Sequence, residues 1–144
     1  MSSTQIEELS CKDRVEEELK DRVEVIRRLW DLYCAGEEEE DPEGYGTFLE
    51  FGLSFDYVAP GTFGEEQKEG YFRYQLSWGG PSDEFRFFCG PGFVPYRIEY
   101  WFLDWFDGAH RVLSSSDEVL LLEVFDFFDE VGSTVAEYEK SSEE

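Results

Sequence analysis

The spacing of apolar positions changes period twice along this chain, and each change marks a structural boundary. Over residues 4–33, Val15, Leu19, Val23, Ile26, Trp30 and Tyr33 recur at steps of three and four, which lines them along one face of a long helix. Glu18 and Glu24 each precede an arginine (Arg22, Arg28) by four residues, the favourable order for a pair on a helix surface. Ser3 or Thr4 is placed to cap the start, and Ala35-Gly36 to stop the helix.

After an acidic loop over residues 36–46 the period becomes two. Leu49, Phe51, Leu53, Phe55 and Tyr57 alternate with polar or small residues and predict a half-buried strand that ends at Ala59-Pro60-Gly61. A second strand sets Phe72, Tyr74, Leu76 and Trp78 on one face. A Gly79-Gly80-Pro81 turn leads to a third strand over 84–89, and Gly90-Pro91-Gly92 to a fourth over 96–105 with aromatics on both faces. Asp107-Gly108 is a hairpin signal and predicts a short fifth strand over 109–113. Ser115 and Glu118 have capping-box spacing, which starts a last helix that Gly132 ends.

These elements predict an α+β fold: a long N-terminal helix, an antiparallel meander of four to five strands, and a C-terminal helix packed on the sheet. Residues 1–134 read as one domain and 135–144 as a flexible acidic tail.

Composition changes the picture through charge. The 144 residues hold 35 Asp and Glu against 12 Lys and Arg, a net charge of −23, beside fourteen Phe, eight Tyr and four Trp. The aromatics supply a core, so the charge is not the mark of a disordered chain. A field of this sign argues against direct binding of nucleic acid or an anionic membrane. Within residues 1–28, eight acids face six bases. Between Leu29 and Gln67, and again between Val112 and Glu139, no Lys or Arg occurs, against eleven and eight acids. The first base-free stretch contains Glu37, Glu38, Glu39, Glu40, Asp41 and Glu43. The second carries Glu123, Asp126, Asp129 and Glu130 as a stripe on the last helix.

Candidate chemistry is sparse. His110 is the single histidine, the three cysteines are widely spaced, and no phosphate loop, dinucleotide fingerprint, nucleophile elbow or calcium loop occurs. Glu99, Asp104 and Asp107 with His110 and Arg111 form the one mixed cluster, but strand alternation sends Glu99 and Asp104 to opposite faces. No enzyme, cofactor or metal is expected. Without a secretion signal or an apolar run long enough to span a bilayer, the cysteines read as free thiols and the compartment as cytoplasmic.

A small, strongly acidic, aromatic-rich chain with two base-free acidic stretches and the stripe Glu123, Asp126, Asp129 and Glu130 resembles the DNA-mimic proteins of phages and plasmids, a class that includes anti-restriction and anti-CRISPR inhibitors. The resemblance is one of class, with no family motif to map residue by residue. It implies a non-enzymatic inhibitor that occupies the positively charged nucleic-acid groove of a host defence protein, a restriction or CRISPR complex, and blocks DNA binding. Glu37, Glu38, Glu39, Glu40, Asp41 and Glu43 with the stripe would make the contacts. An immunity protein, antitoxin or adaptor that neutralises a basic protein needs the same surface and stands as the alternative. An exposed aromatic patch on the fourth strand would fit a homodimer.

Overall fold

The computed structural model describes residues 10–36, 41, 43–104 and 106–142. Its elements are α1 (Cys11–Cys34), α2 (Phe48–Phe51), β1 (Ser54–Val58), β2 (Tyr71–Ser77), β3 (Pro81–Gly90), β4 (Val94–Asp104), β5 (Asp107–Val112), α3 (Ser115–Glu130) and α4 (Ser133–Ser142). The five strands pair antiparallel in sequence order, and the sheet stays open. This is the expected α+β meander with helices at both ends.

Alternation sorts the sheet into two faces. Phe72 and Tyr74 of β2, Phe85 and Phe87 of β3, and Ile98, Tyr100 and Phe102 of β4 point to the helices and are buried. α1 contributes Val15, Ile26 and Leu29, and α3 contributes Leu121, Val124 and Phe125, each almost wholly buried. The Phe125 ring lies 5.0 Å from Phe87 and 5.7 Å from Phe72, so α3 seats on the centre of the sheet. Ring pairs at these separations add about 0.5–1.5 kcal/mol each beyond the area they bury.

One buried polar knot ties α1 to the sheet. Asp83 of β3, 1% exposed, accepts two bonds from the Arg22 guanidinium (2.7 and 3.1 Å) and one from the Tyr100 hydroxyl (2.6 Å). Ser77 donates a further bond to the same carboxylate.

Several boundaries differ from the sequence reading. α1 is capped at Ser10, which exchanges side-chain and backbone bonds with Asp13 in a capping box; Ser3 and Thr4 lie outside the described residues. The strand expected to begin near Leu49 instead opens with the single turn α2. There Thr47 and Glu50 form a reciprocal capping box, which holds the backbone helical before β1 starts. Leu49 and Leu53 are accordingly exposed. α3 is capped at Ser114 rather than Ser115, because the Glu118 amide donates to the Ser114 carbonyl at 2.8 Å. Trp78 leaves the buried row: the register shifts between Gln75 and Ser77, and its ring is 77% exposed.

The expected tail is also corrected, since residues through Ser142 form α4. Gly132 takes φ +85° and lets the chain reverse. The Thr134 hydroxyl then donates to Asp129, and Tyr138 packs on Tyr57 and Phe93.

A glycine records how tightly β1 meets the core. A Cβ on Gly52 would clash with the ring of Tyr74, which is 3% exposed. Gly52→Ala is expected to destabilise the fold by about 1–3 kcal/mol, as overpacking does elsewhere. Urea denaturation with an unchanged slope checks this.

Candidate functional site

The acidic positions sort into spent and unspent carboxylates once the arginines are placed. Among the described residues, seven of the eight arginines are in ion pairs: Arg14 with Glu18 and Asp104, Arg22 with Asp83, Arg28 with Asp41 and Glu43, Arg73 with Asp56, Arg86 with Glu84, Arg97 with Glu69 and Glu99, and Arg111 with Glu16. Seven of the twelve cationic side chains are therefore committed to partners within the molecule, while Lys12, Lys20, Lys68, Lys140 and Arg27 stand outside these pairs.

This changes the expected acidic loop. Asp41 is 4% exposed and accepts both Arg28 Nε (2.8 Å) and Nη2 (2.9 Å). The Arg28 hydrogen bond, opposed by burial, holds its carboxyl below the ordinary carboxylate value. Asp41 is thus a buried structural ligand of Arg28 and is withdrawn as a contact residue. Glu43 shares the same arginine at 2.8 Å, though its side chain stays exposed. Glu37, Glu38, Glu39 and Glu40 lie outside the described residues.

On α3, Glu123, Asp126, Asp129 and Glu130 are all exposed on the side away from the core, as the stripe predicts. Two of them have structural duties. Glu123 accepts the Trp30 indole N–H at 3.3 Å, and Asp129 receives the Thr134 hydroxyl that starts α4. Asp126 and Glu130 make no hydrogen bond or ion pair among the described residues.

Packing shows what lies beside this stripe. Phe127 stacks edge-on against Trp30 and Tyr33 near the end of α1, while Asp117, in the first turn of α3, shares a depression with Glu16 and Leu19 of α1. α1 and α3 therefore run in the same sense, and both helices end at one pole of the molecule. A depression of about 410 Å³ at that pole is lined by Trp30, Tyr33, Glu123, Asp126, Phe127, Glu130 and Val131. A second, of about 570 Å³, runs along α1, where Glu16, Glu24, Asp31 and Asp117 line it beside Lys20, Arg27 and Arg28. Neither helix has a basic residue in its last turn. Each C-terminus already carries the negative end of a helix dipole, equivalent to roughly half an elementary charge. Asp31, Asp126 and Glu130 are thus set where carboxylates are least stable.

The other face of the sheet is a second, different surface. No helix among the described residues covers it, and a groove of about 700 Å³ crosses it, walled by the loop between β1 and β2. Arg86 lies with its guanidinium 3.9 Å from the Trp101 ring and 4.7 Å from Tyr71, and His110 stacks on Trp101 at 4.3 Å and 10°. The apolar outer face of β4, unexplained by the sequence pattern, is thus covered by an imidazole and a cation in place of a helix. Glu66, Glu69, Glu84 and Glu99 line the groove beside Lys68, Arg73, Arg86 and Arg97, so its formal charges cancel. The cross-strand placement of these residues was not anticipated from sequence. The signal available was Arg73, Glu84, Arg86, Arg97 and Glu99, each in the alternate row opposite the buried one.

The mixed cluster of acids with His110 does not assemble. Glu99 lies on the open face with Arg97 and Trp101, Asp104 on the helix side with Arg14, and Asp107 accepts the Cys11 amide at 2.7 Å. Arg111 turns to Glu16 of α1. Among the described residues no group of His, Cys, Asp and Glu is arranged to hold a metal ion, and no helix is long and apolar enough to cross a membrane. No known protein family, curated protein or solved structure matches this chain.

Proposed function

We propose that this chain is a non-catalytic acidic decoy, which occupies the positively charged nucleic-acid groove of a host defence protein and blocks DNA binding. The contact surface in this reading runs from Glu24 in the middle of α1 to the pole where α1 and α3 end, with Asp31 from α1 and Asp126 and Glu130 from α3. Glu123 and Asp129 sit at its edge and shape it through Trp30 and α4.

The observation that carries the reading is the commitment of seven arginines to internal partners while carboxylates stand unpaired at two helix C-termini. Each such carboxylate costs about 0.3–1 kcal/mol against the helix dipole. A chain under selection for stability alone would gain by placing lysine there. A basic groove reverses the sign of that cost, because its cations meet both the carboxylates and the dipole ends. It also draws the chain in from a distance, and such steering raises association rates by about 10- to 1000-fold at low salt.

Self-repulsion supplies one check on the charge account. Raising the salt from about 10 mM to about 500 mM shortens the screening length from ~30 Å to a few Å. The thermal midpoint of the isolated protein is expected to rise across that range. A fall would mean that the internal arginine pairs outweigh the repulsion.

The functional test begins with capture of partners from the producing cells at low salt. A captured nuclease or CRISPR complex that loses duplex DNA when this protein is added supports the proposal. A captured toxin whose activity is quenched without any competition from DNA places the chain among immunity proteins instead.

A further inference from the structure

The groove on the open face of the sheet has no part in the acidic decoy reading, and its chemistry differs from that of the pole. We propose that it is a binding site for a neutral saccharide. In a chain of net charge −23, a groove with as many cations as anions gains nothing from a polycation and offers nothing to a polyanion.

The groove also holds a mixture of donors and acceptors ready. Arg86 is fixed by Glu84 (2.7 Å) and Arg97 by Glu99 (2.9 Å) and Glu69 (2.8 Å), so planar guanidinium and carboxylate groups stand side by side in fixed positions. Sugar hydroxyls both donate and accept, which matches such pairs better than a ligand of one polarity. Beneath them lies an unspent group. Tyr71 is 2% exposed, yet its hydroxyl has no hydrogen-bond partner, although native folds rarely leave a buried hydroxyl unpaired.

The groove also offers free aromatic surface. Both faces of Trp101 are taken, by Arg86 and His110. Trp78 and Phe63 also line the groove, are 77% and 63% exposed, and stack on no ring among the described residues. A pyranose has an apolar C–H face for such a ring and hydroxyl edges for the polar floor. The wall that carries Phe63 is set in advance: Gln67 accepts the Phe63 amide (2.9 Å) and donates to the Ala59 and Glu69 carbonyls (both 3.0 Å). A volume of about 700 Å³ suits a short oligosaccharide.

The test is calorimetric titration of the intact chain with maltotetraose, cellotetraose, laminaritetraose and chitotetraose, and with a heparin tetrasaccharide as the charged control. At least one neutral sugar is expected to bind saturably. Trp78→Ala, which removes an exposed ring and no packing, should weaken it by roughly tenfold. Tyr71→Phe should weaken it too, without lowering the melting temperature, whereas Asp126→Lys should leave it unchanged. The proposal is overturned if no neutral sugar binds, if binding survives both Trp78→Ala and Tyr71→Phe, if only heparin binds, or if the groove is filled by a segment of a protein partner. The Asp126→Lys arm separates this site from the acidic pole, so either reading can fail alone.

Discussion

Asp83→Ala is expected to cost about 3–5 kcal/mol, the usual penalty for removing one partner of a buried ion pair. The Asp83 carboxylate is 1% exposed and serves Arg22, Tyr100 and Ser77 together. Its loss strands a guanidinium and a phenol in an apolar layer between α1 and the sheet. Burial beside that carboxylate also pushes the Tyr100 phenol well above its ordinary value, so Tyr100 stays a donor throughout the physiological range. Against a total stability of about 5–15 kcal/mol for a domain of this size, that loss removes a large fraction of the margin. Asp83→Asn, which keeps the shape and one acceptor, should lose less. Urea midpoints for the two variants check the order, and equal losses would show that charge rather than shape holds the knot.

The second large effect runs the other way on stability. Asp126→Lys and Glu130→Lys place cations at the C-terminal end of α3, where the dipole favours them and no basic residue now stands. Each is expected to stabilise the isolated protein by about 0.3–1 kcal/mol. Combined with Glu24→Lys and Asp31→Lys, they should slow association with a basic partner by about 10- to 1000-fold at low salt, the full steering effect. A surface kept only for solubility would show no such opposition, because stability and binding would not then respond in opposite directions. Melting curves and association rates on the same four variants measure both sides.

Most of the architecture was legible because periodicity and punctuation agreed. The helical spacing from Val15 to Tyr33, the alternation in β2 and β3, and Gly132 each mark what the structure contains. α2 was misread because Leu49, Phe51 and Leu53 fit a strand pattern while Thr47 and Glu50, spaced as a capping box, specified a turn of helix. That signal was present in the sequence and outweighed a short alternation. α4 was not legible in the same way. Its few apolar residues reach the core only because β1 and the turn after Gly90 bring Tyr57 and Phe93 to Tyr138.

The site divides similarly. The outward direction of Glu123, Asp126, Asp129 and Glu130 follows from helix phase, which sequence carries. The burial of Asp41 does not, since it depends on Arg28 folding back from another element thirteen residues away. Pairing by tertiary contact is also what converts scattered arginines into a charge-balanced open face and leaves the α1–α3 pole unrelieved. Composition could state the excess of acid but could not say which carboxylates were spent.

The most direct test of the decoy reading is fluorescence anisotropy of a labelled DNA duplex bound to the basic protein captured at low salt. The account predicts that the unmodified chain releases the duplex, that release weakens steeply as salt rises, and that the Glu24, Asp31, Asp126 and Glu130 lysine variant leaves the duplex bound while melting no lower than the parent. Release of the duplex by that variant at the parent's concentration would contradict it.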